Sequence, residues 1–369
     1  MKAHMTNTAF CKANAAIRGL VQKDALSPFS KVRLDVAGDY WSLTGSNGDI
    51  QVEYRLSFQE GAPRENGCVT LPGAKLAAFA GAMPDGFVTV ETESAERAKI
   101  YDGSGTTFRL AATDATEFPL MAGPGEGARS EYVAAELLRE MLRKVKFAAA
   151  TDGTRCVLCG VNMKLGDGLF EMTATDGRRL AHVEREVVGE EAGGFAITLA
   201  NKTVDTLCAL LADEEGEVRV QADAKAAVFL GERWSMTCKV LENVYPQWKR
   251  VVPEKPAHVA TIDRTAFLDA MARAALAMED GTGVKISLKN GAAVFKARSD
   301  VAEARAELAG CRIPDGGTAS FRFNPRLLKD ALEAIDEDEF TLGFGGAGQP
   351  VLLKCSLPWL AVVMPLRTK

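Results

Sequence analysis

An α+β fold made of three tandem copies of one domain is predicted by three features of the chain. These are a layout that occurs three times, a repeat spacing close to one third of the chain, and an ordinary globular composition. Of the 369 residues, 47% are hydrophobic and 25% are charged. This balance is typical of folded proteins and leaves enough apolar material for several cores.

The repeated unit is a short strand, a polar or proline break, a helix rich in alanine and leucine, an acidic or glycine turn, and alternating strands. Its helices are predicted at Lys75–Met83, Lys202–Leu211 and Arg326–Ile335. The strands before them are Val69–Pro72, Ile197–Leu199 and Phe321–Phe323, and the strands after them are Phe87–Val90, Val218–Val220 and Phe340–Leu342. In the third copy, Asn324 as N-cap and Pro325 in the first turn are a strong start signal for a helix.

The spacing of the copies supports a true repeat over a chance likeness of ordinary α+β segments. Leu71 and Leu199 are 128 residues apart, and Leu199 and Phe323 are 124 residues apart. Each unit also has an earlier predicted helix, at Phe10–Lys23, Ala134–Phe147 and Arg264–Met278. We therefore predict domains at residues 1–122, 129–252 and 258–369, joined by linkers near residues 122–130 and 253–258.

Cations recur on the predicted helices although the chain is acidic overall. The 44 Lys and Arg residues against 49 Asp and Glu residues give a net charge of −5, so a nucleic-acid partner would require a segregated basic face. Arg139, Arg143 and Lys146 are spaced to share one face of their helix, away from its apolar stripe. Other cations lie near helix starts, where they oppose the helix dipole. Recurrence in all three copies favours phosphate contacts over a merely solvated face.

Several motifs of this chain resemble one known family. They are Thr173–Ala181 (TATDGRRLA), Tyr245–Pro253 (YPQWKRVVP) and Val362–Arg367 (VVMPLR), with support from Asn324–Leu328 (NPRLL) and Glu117–Pro119 (EFP). In this order over the whole chain, they resemble the bacterial DNA sliding clamp, the beta subunit of DNA polymerase III. The resemblance implies three clamp-type domains, with two helices packed on antiparallel sheets in each, and a head-to-tail dimeric ring.

The resemblance also implies a function and partners. The expected function is that of a DNA polymerase processivity factor without catalytic activity, which encircles double-stranded DNA non-specifically and is homodimeric. Short peptide motifs of the replicative polymerase and the clamp loader are the expected protein partners. The cations expected to face DNA are Lys12, Lys23, Lys75, Arg139, Arg143, Lys146, Arg155, Lys202, Arg326 and Lys329. Lys12 and Lys23, eleven residues apart, are expected on one side of the first helix.

A hydrophobic peptide-binding cleft between the second and third domains is implied as well. Its residues by match to the family are Leu158, Thr175, Gly177, Arg178, Arg179, Leu180, Pro246, Val251, Val362, Met364, Pro365, Leu366 and Arg367. The residue types agree, because Asp176-Gly177 predicts a tight turn and Met364 offers an adaptable apolar surface. The alternative is a terminal strand that only completes its own core. Arg178 stands where histidine is common in the family, and Thr368 and Lys369 extend the usual end.

The chain departs from the family where a pair of aromatic residues contacts DNA. Cys156 and Val157 occupy those positions, and Arg155 is the only cation on that segment. We therefore expect weak, mostly electrostatic DNA contact. This departure motivates an alternative function, a clamp-like paralogue that serves as a protein-interaction platform or modulator and is not stably loaded on DNA.

Other motifs do not indicate an enzyme, a metal or a cofactor. Cys156–Cys159 is a CxxC match in a β pattern without a second CxxC. Gly343–Gly348 fits GxGxxG, but a strand follows it, so a hairpin loop is predicted. His4, His182 and His258 are far apart, and His182 is expected to be a satisfied surface or core residue. Eight scattered cysteines and the lack of a long apolar run or leader predict a cytoplasmic protein that does not contact membranes.

Overall fold

The computed structural model describes residues 1–152, 157–187, 194–242, 244–346 and 348–366. Within them lie six α-helices, 25 β-strands and four sheets, and the strand pairs are antiparallel. The predicted α+β class is therefore confirmed. No helix in these ranges is long and apolar enough to cross a membrane.

The helices lie where the repeat predicts them. They are α1 Asn7–Ile17, α2 Gly73–Ala82, α3 Ala135–Val145, α4 Asn201–Leu210, α5 Arg264–Ala275 and α6 Pro325–Glu333. The start of α6 is confirmed in detail, because the Asn324 side chain accepts a hydrogen bond from the Arg326 N–H at 3.1 Å and Pro325 is the first helical residue.

The first helix is shorter than predicted. Helix α1 ends at Ile17, and a turn follows in which the Leu20 N–H donates to the Ile17 carbonyl at 2.9 Å. Leu20 is buried by this turn, so no further helical turn is needed to bring it into the core. The expectation that Lys12 and Lys23 share one side of a helix is therefore wrong, since Lys23 lies beyond the helix.

The strands follow one another along the chain in this order. They are β1 Lys2–Thr6, β2 Lys31–Ala37, β3 Tyr40–Ser46, β4 Ile50–Ser57, β5 Arg64–Glu65, β6 Gly67–Pro72, β7 Phe87–Ser94, β8 Arg97–Asp102, β9 Thr107–Ala111, β10 Arg129–Ala134, β11 Gly160–Gly166, β12 Leu169–Thr175, β13 Arg179–Glu186, β14 Phe195–Ala200, β15 Glu217–Ala222, β16 Ala226–Leu230, β17 Trp234–Lys239, β18 His258–Asp263, β19 Val284–Lys289, β20 Ala292–Arg298, β21 Glu303–Ala309, β22 Ala319–Phe323, β23 Glu339–Phe344, β24 Val351–Lys354 and β25 Trp359–Val363.

The chain forms two compact units, of which the first comprises Met1–Leu137 and Asp205–Val240. It contains a five-stranded sheet in the order β5-β1-β7-β8-β9 and an eight-stranded sheet in the order β10-β15-β16-β17-β4-β3-β2-β6. Pairing of β4 with β17 places Val52 opposite Met236 and so joins segments that are distant in sequence. Helices α1 and α2 pack together, and Phe10 of α1 lies against the buried Trp41.

The second unit comprises Leu138–Val204 and Leu241–Lys369. Its eight-stranded sheet has the order β14-β11-β12-β13-β25-β24-β23-β18, and its four-stranded sheet has the order β21-β20-β19-β22. Helix α5 anchors the core through Phe267, which meets Phe295 and Phe340 edge-on at centroid distances of 4.9 and 5.5 Å. Pairing of β13 with β25 makes one continuous sheet from strands of two repeats.

A buried lysine joins α3 to the turn after α6 in this unit. Lys144 is fully buried, and its ammonium donates to the Ala334 carbonyl at 2.7 Å and to the Asp336 carboxylate at 2.8 Å. Arg143 also donates to Asp336, at 2.7 Å. These two cations lower the pKa of Asp336 to about 2, the hydrogen bond from Arg143 having the larger effect. Asp336 therefore supplies the charge that allows Lys144 to be buried.

Replacement of Asp336 by asparagine is expected to lower the free energy of unfolding by about 1–3 kcal/mol at pH 7. This loss is smaller than that expected for a fully buried ion pair, because the carboxylate is about half exposed. The folded-state pKa lies below the ordinary value, so this contribution is present above pH 4 and disappears as the pH falls toward 2. Urea unfolding of the wild type and Asp336→Asn between pH 7 and pH 3 measures it. The control is Asp300→Asn in an exposed turn. An equal loss in the two variants, or a difference that does not shrink in acid, would contradict the assignment.

Candidate functional site

The base of the candidate site is an apolar patch where β13, β25 and β24 lie side by side. Leu180 lies opposite Val362, and Val362 lies opposite Leu352. All three side chains are buried, and Trp248, Val252 and Leu360 pack against them. The patch exists because two segments about 180 residues apart pair as neighbouring strands.

A cleft of about 220 Å³ opens above this patch. It is lined by Leu158, Thr175, Gly177, Arg178, Arg179, Leu180, Pro246, Gln247, Trp248, Val251, Val362 and Met364. Val251 and Met364 are apolar but remain 55% and 40% exposed. Exposed apolar side chains around a concave surface mark sites that bind another molecule.

Among the described residues, the structure brings together all but two of those predicted for the cleft. Pro365 and Leu366 instead line a separate cavity of about 270 Å³, whose other lining residues are Lys285, Ser320, Phe321, Arg322 and Gly348. The backbone explains this placement, because the Leu366 N–H donates to the Arg322 carbonyl at 2.6 Å and so directs the chain along β22. Arg367 lies outside the described residues.

A tight turn between β12 and β13 forms the rim of the cleft. The Asp176 carboxylate accepts hydrogen bonds from the N–H groups of Arg178 and Arg179 at 2.8 and 2.9 Å. Gly177 has a φ of 83°, which glycine adopts at little cost. The Thr175 hydroxyl closes the turn by donating to the Arg179 carbonyl at 2.7 Å. The predicted Asp-Gly turn is confirmed.

The two arginines of this turn have different environments. The guanidinium of Arg179 donates to Asp176 at 3.1 Å and to Asp330 of α6 at 2.5 Å, and it lies 5.5 Å from the centre of the Phe147 ring. It therefore holds the turn against α6. Arg178 has an exposed side chain, and its carbonyl accepts a hydrogen bond from the Met364 N–H at 2.9 Å. Arg178 is thus the cation that the cleft presents to solvent.

Gln247 and Trp248 also line the cleft, although sequence reasoning did not assign them to it. Trp248 begins the short 3₁₀-helix Trp248–Val251, and its ring stacks on the buried His182 at a centroid distance of 4.0 Å. Burial lowers the pKa of His182, so the imidazole is neutral at neutral pH. A tryptophan in a mostly polar segment of the YPQWKRVVP motif was the available signal. His182 is a core residue, in agreement with the prediction.

Several of the cations predicted to face DNA are engaged by carboxylates. Lys12 pairs with Asp213 at 3.1 Å, Arg143 with Asp336, and Lys329 with Glu333 at 3.6 Å. Five other described cations of this set have exposed side chains: Lys23, Lys75, Lys146, Lys202 and Arg326. Arg139 is half-buried. Arg155 and Cys156 lie outside the described residues.

The structure describes most of the CxxC-like and glycine-rich segments. The β pattern expected for the CxxC segment is wrong, because Val157 and Leu158 form a short 3₁₀ turn and β11 begins only at Gly160. The Cys159 thiol donates to the Asp152 carbonyl at 2.9 Å. The hairpin predicted for the glycine-rich segment is confirmed, since it joins β23 to β24.

Repeated α+β units and an apolar cleft along a strand seam define a multidomain protein with a site for binding another molecule. Sequence models of the DNA polymerase III beta subunit match the chain in three parts: the N-terminal domain at residues 1–122, the central domain at 132–247 and the C-terminal domain at 249–365. The chain belongs to this family, the bacterial beta sliding clamps. The prediction of three tandem clamp domains is confirmed.

Curated relatives and solved structures agree with this assignment. The beta sliding clamps of Staphylococcus epidermidis and Staphylococcus aureus are each 26% identical to this chain, and each match covers 92% of both chains. In structure, the chain is similar to the sliding clamp of Pseudomonas aeruginosa bound to griselimycin, with a TM-score of 0.94 and 24% identity. It is also similar to the sliding clamp of Bacillus subtilis, with a TM-score of 0.93 and 22% identity. Both structural matches cover 100% of each chain.

Proposed function

We propose that this protein is a non-catalytic processivity factor, a cytoplasmic sliding clamp that encircles duplex DNA and tethers polymerase and other partners through its cleft. Membership of the beta subunit family supports the ring. The binding of partners is supported by one observation, the cleft above Leu180 and Val362 with its exposed Val251 and Met364. Retention on circular but not on linear duplex DNA, with a clamp loader and ATP present, tests the proposal.

The cleft favours a short peptide as its occupant. Its volume of about 220 Å³ lies below the roughly 300–1,000 Å³ of sites that enclose drug-sized molecules. It has room for one or two large apolar side chains, which Leu180, Val362 and Met364 would contact. The exposed Arg178 at the rim suits a carboxylate of the same peptide. Tails of the replicative polymerase and the clamp loader are the proposed ligands.

Ring closure is proposed to use two sheet edges. Strand β9 is the last strand of the five-stranded sheet, and β21 is the last strand of the four-stranded sheet. Exposed edges invite pairing with another chain. Helix α5 packs against β21, and Leu276 at the end of α5 is 87% exposed. Pairing of β9 of one copy with β21 of another, repeated after a half turn, would close a dimer and cover Leu276.

Replacement of Leu276 by aspartate is expected to raise the dimer dissociation constant at least tenfold, because a charge would replace an apolar contact at the proposed junction. Light scattering on a sizing column, over a dilution series, measures the native mass. The wild type should remain at twice 39.5 kDa at concentrations where Leu276→Asp falls to 39.5 kDa. The control is Leu26→Asp, since Leu26 is 94% exposed in a loop. Equal masses for the wild type and Leu276→Asp at every concentration would exclude this junction.

A second candidate function, a protein-interaction platform not stably loaded on DNA, is favoured by the electrostatics. Lys12, Arg143 and Lys329 are ion-paired, and the chain has a net charge of −5. Val157 also stands where the family has an aromatic residue in contact with DNA. In this alternative the cleft still binds peptides, and only the retention on DNA is lost.

A further inference from the structure

A cluster of one histidine and two glutamates lies on the face of β12 and β13 that carries Trp248. Glu171 lies directly opposite Glu184 in the strand pairing, and Thr173 lies opposite His182. Two carboxylates directly opposite each other on antiparallel strands repel one another. Lys164 on β11 relieves part of this repulsion, since its ammonium lies 3.1 Å from the Glu171 carboxylate.

The imidazole of His182 is oriented toward these carboxylates. Its Nδ1 lies 2.9 Å from the Thr173 hydroxyl, and its Nε2 lies 3.4 Å from the Glu184 carboxylate. A hydrogen bond at one ring nitrogen commonly orients a histidine that binds metal through the other. One ligand atom each from Glu171, His182 and Glu184 lies within 4.8 Å of the other two.

We propose that Glu171, His182 and Glu184 bind one zinc ion, with water in the fourth position. In a tetrahedral zinc site with bonds of about 2.0–2.1 Å, neighbouring ligand atoms are about 3.3 Å apart. The separation of 3.4 Å between His182 Nε2 and the Glu184 oxygen matches that spacing. One nitrogen and two carboxylate oxygens favour zinc over magnesium or calcium, which prefer oxygen ligands alone.

The burial of His182 supports the same conclusion. This residue is only 3% exposed and its ring stacks on Trp248 at a centroid distance of 4.0 Å, so Nε2 is held in place beside Glu184. Because His182 stacks on Trp248, a bound ion would also hold one wall of the cleft in place. This last consequence rests on the proposed peptide binding, whereas the metal site does not.

The experiment uses tag-free, chelator-treated protein titrated with zinc in a calorimeter and with cobalt(II) in an absorption cell. One equivalent is expected to bind, and His182→Gln and Glu184→Gln should each weaken zinc binding at least tenfold. The control is His4→Gln, which should bind as the wild type does. His4 has a similar setting, with Nδ1 2.8 Å from the Thr89 hydroxyl and its ring stacked on Phe87 at 4.9 Å, but among the described residues it belongs to no such cluster.

A second variant decides the question if His182→Gln does not fold. Lys164→Met removes the competing ammonium from Glu171, so the zinc affinity should rise several-fold. A purely structural ion pair predicts no such gain. The quenching of tryptophan fluorescence by cobalt should be lost in Trp248→Phe. The proposal is overturned if one equivalent does not bind, if Glu184→Gln leaves the affinity unchanged, or if Lys164→Met leaves it unchanged or lowers it.

Discussion

On a nicked circular plasmid, with a clamp loader and ATP, the protein is expected to stay bound through a high-salt wash. Cutting the plasmid once should lower the retained amount at least tenfold, to the level without loader. Salt screens electrostatic contacts to phosphates but does not open a closed ring, so only a topological link survives the wash. The acidic net charge and the ion-paired Lys12 and Arg143 make this contrast large, because they weaken direct contact.

Gel filtration of the loaded plasmid, before and after cutting, measures this retention. Leu276→Asp is the variant that weakens the proposed dimer junction. It should load poorly on DNA although its cleft remains intact. Leu26→Asp should behave like the wild type. Retention that is unchanged by cutting would show that the contact is not topological. Lack of retention on either form would contradict the sliding clamp and leave the interaction platform.

The double variant Val251→Ala with Met364→Ala is expected to lower the affinity for a polymerase-tail peptide at least thirtyfold. Each truncation should cost about 1–3 kcal/mol, since both side chains line the cleft and would be desolvated by the peptide. Both are partly exposed in the unbound protein, so the fold should tolerate their loss. Calorimetry or fluorescence anisotropy with a labelled peptide measures the change.

Leu366→Ala is the matched comparison for the cleft. Leu366 was expected in the cleft, but it lines the separate cavity beside Arg322. Its truncation should change peptide affinity less than threefold. A loss as large as that of the double variant would mean that the peptide spans both cavities. An unchanged affinity in the double variant would contradict the cleft assignment itself.

Local signals in the sequence were sufficient for the repeat and for most helices. These signals are local, because they depend on residues within one or two turns of one another. They include helix periodicity, the Asn324-Pro325 start and the Asp176-Gly177 turn, and each can be predicted from the sequence alone. The motifs at Thr173–Ala181 and Tyr245–Pro253 indicated the family and most of the cleft. The end of the first helix was predicted wrongly, because Leu20 is buried by a turn and not by a further helical turn.

Contacts between distant segments decided what the motifs left open. Arg178 and Arg179 are neighbours of the same type, yet only folding brings Asp330 and Phe147 to Arg179 and leaves Arg178 exposed. Likewise, Lys144 could be buried only because Asp336 reaches it from another segment. Such pairings depend on strand register and helix packing across more than a hundred residues. The periodicity of the sequence does not indicate these pairings. The partners of each cation therefore became clear only from the tertiary structure.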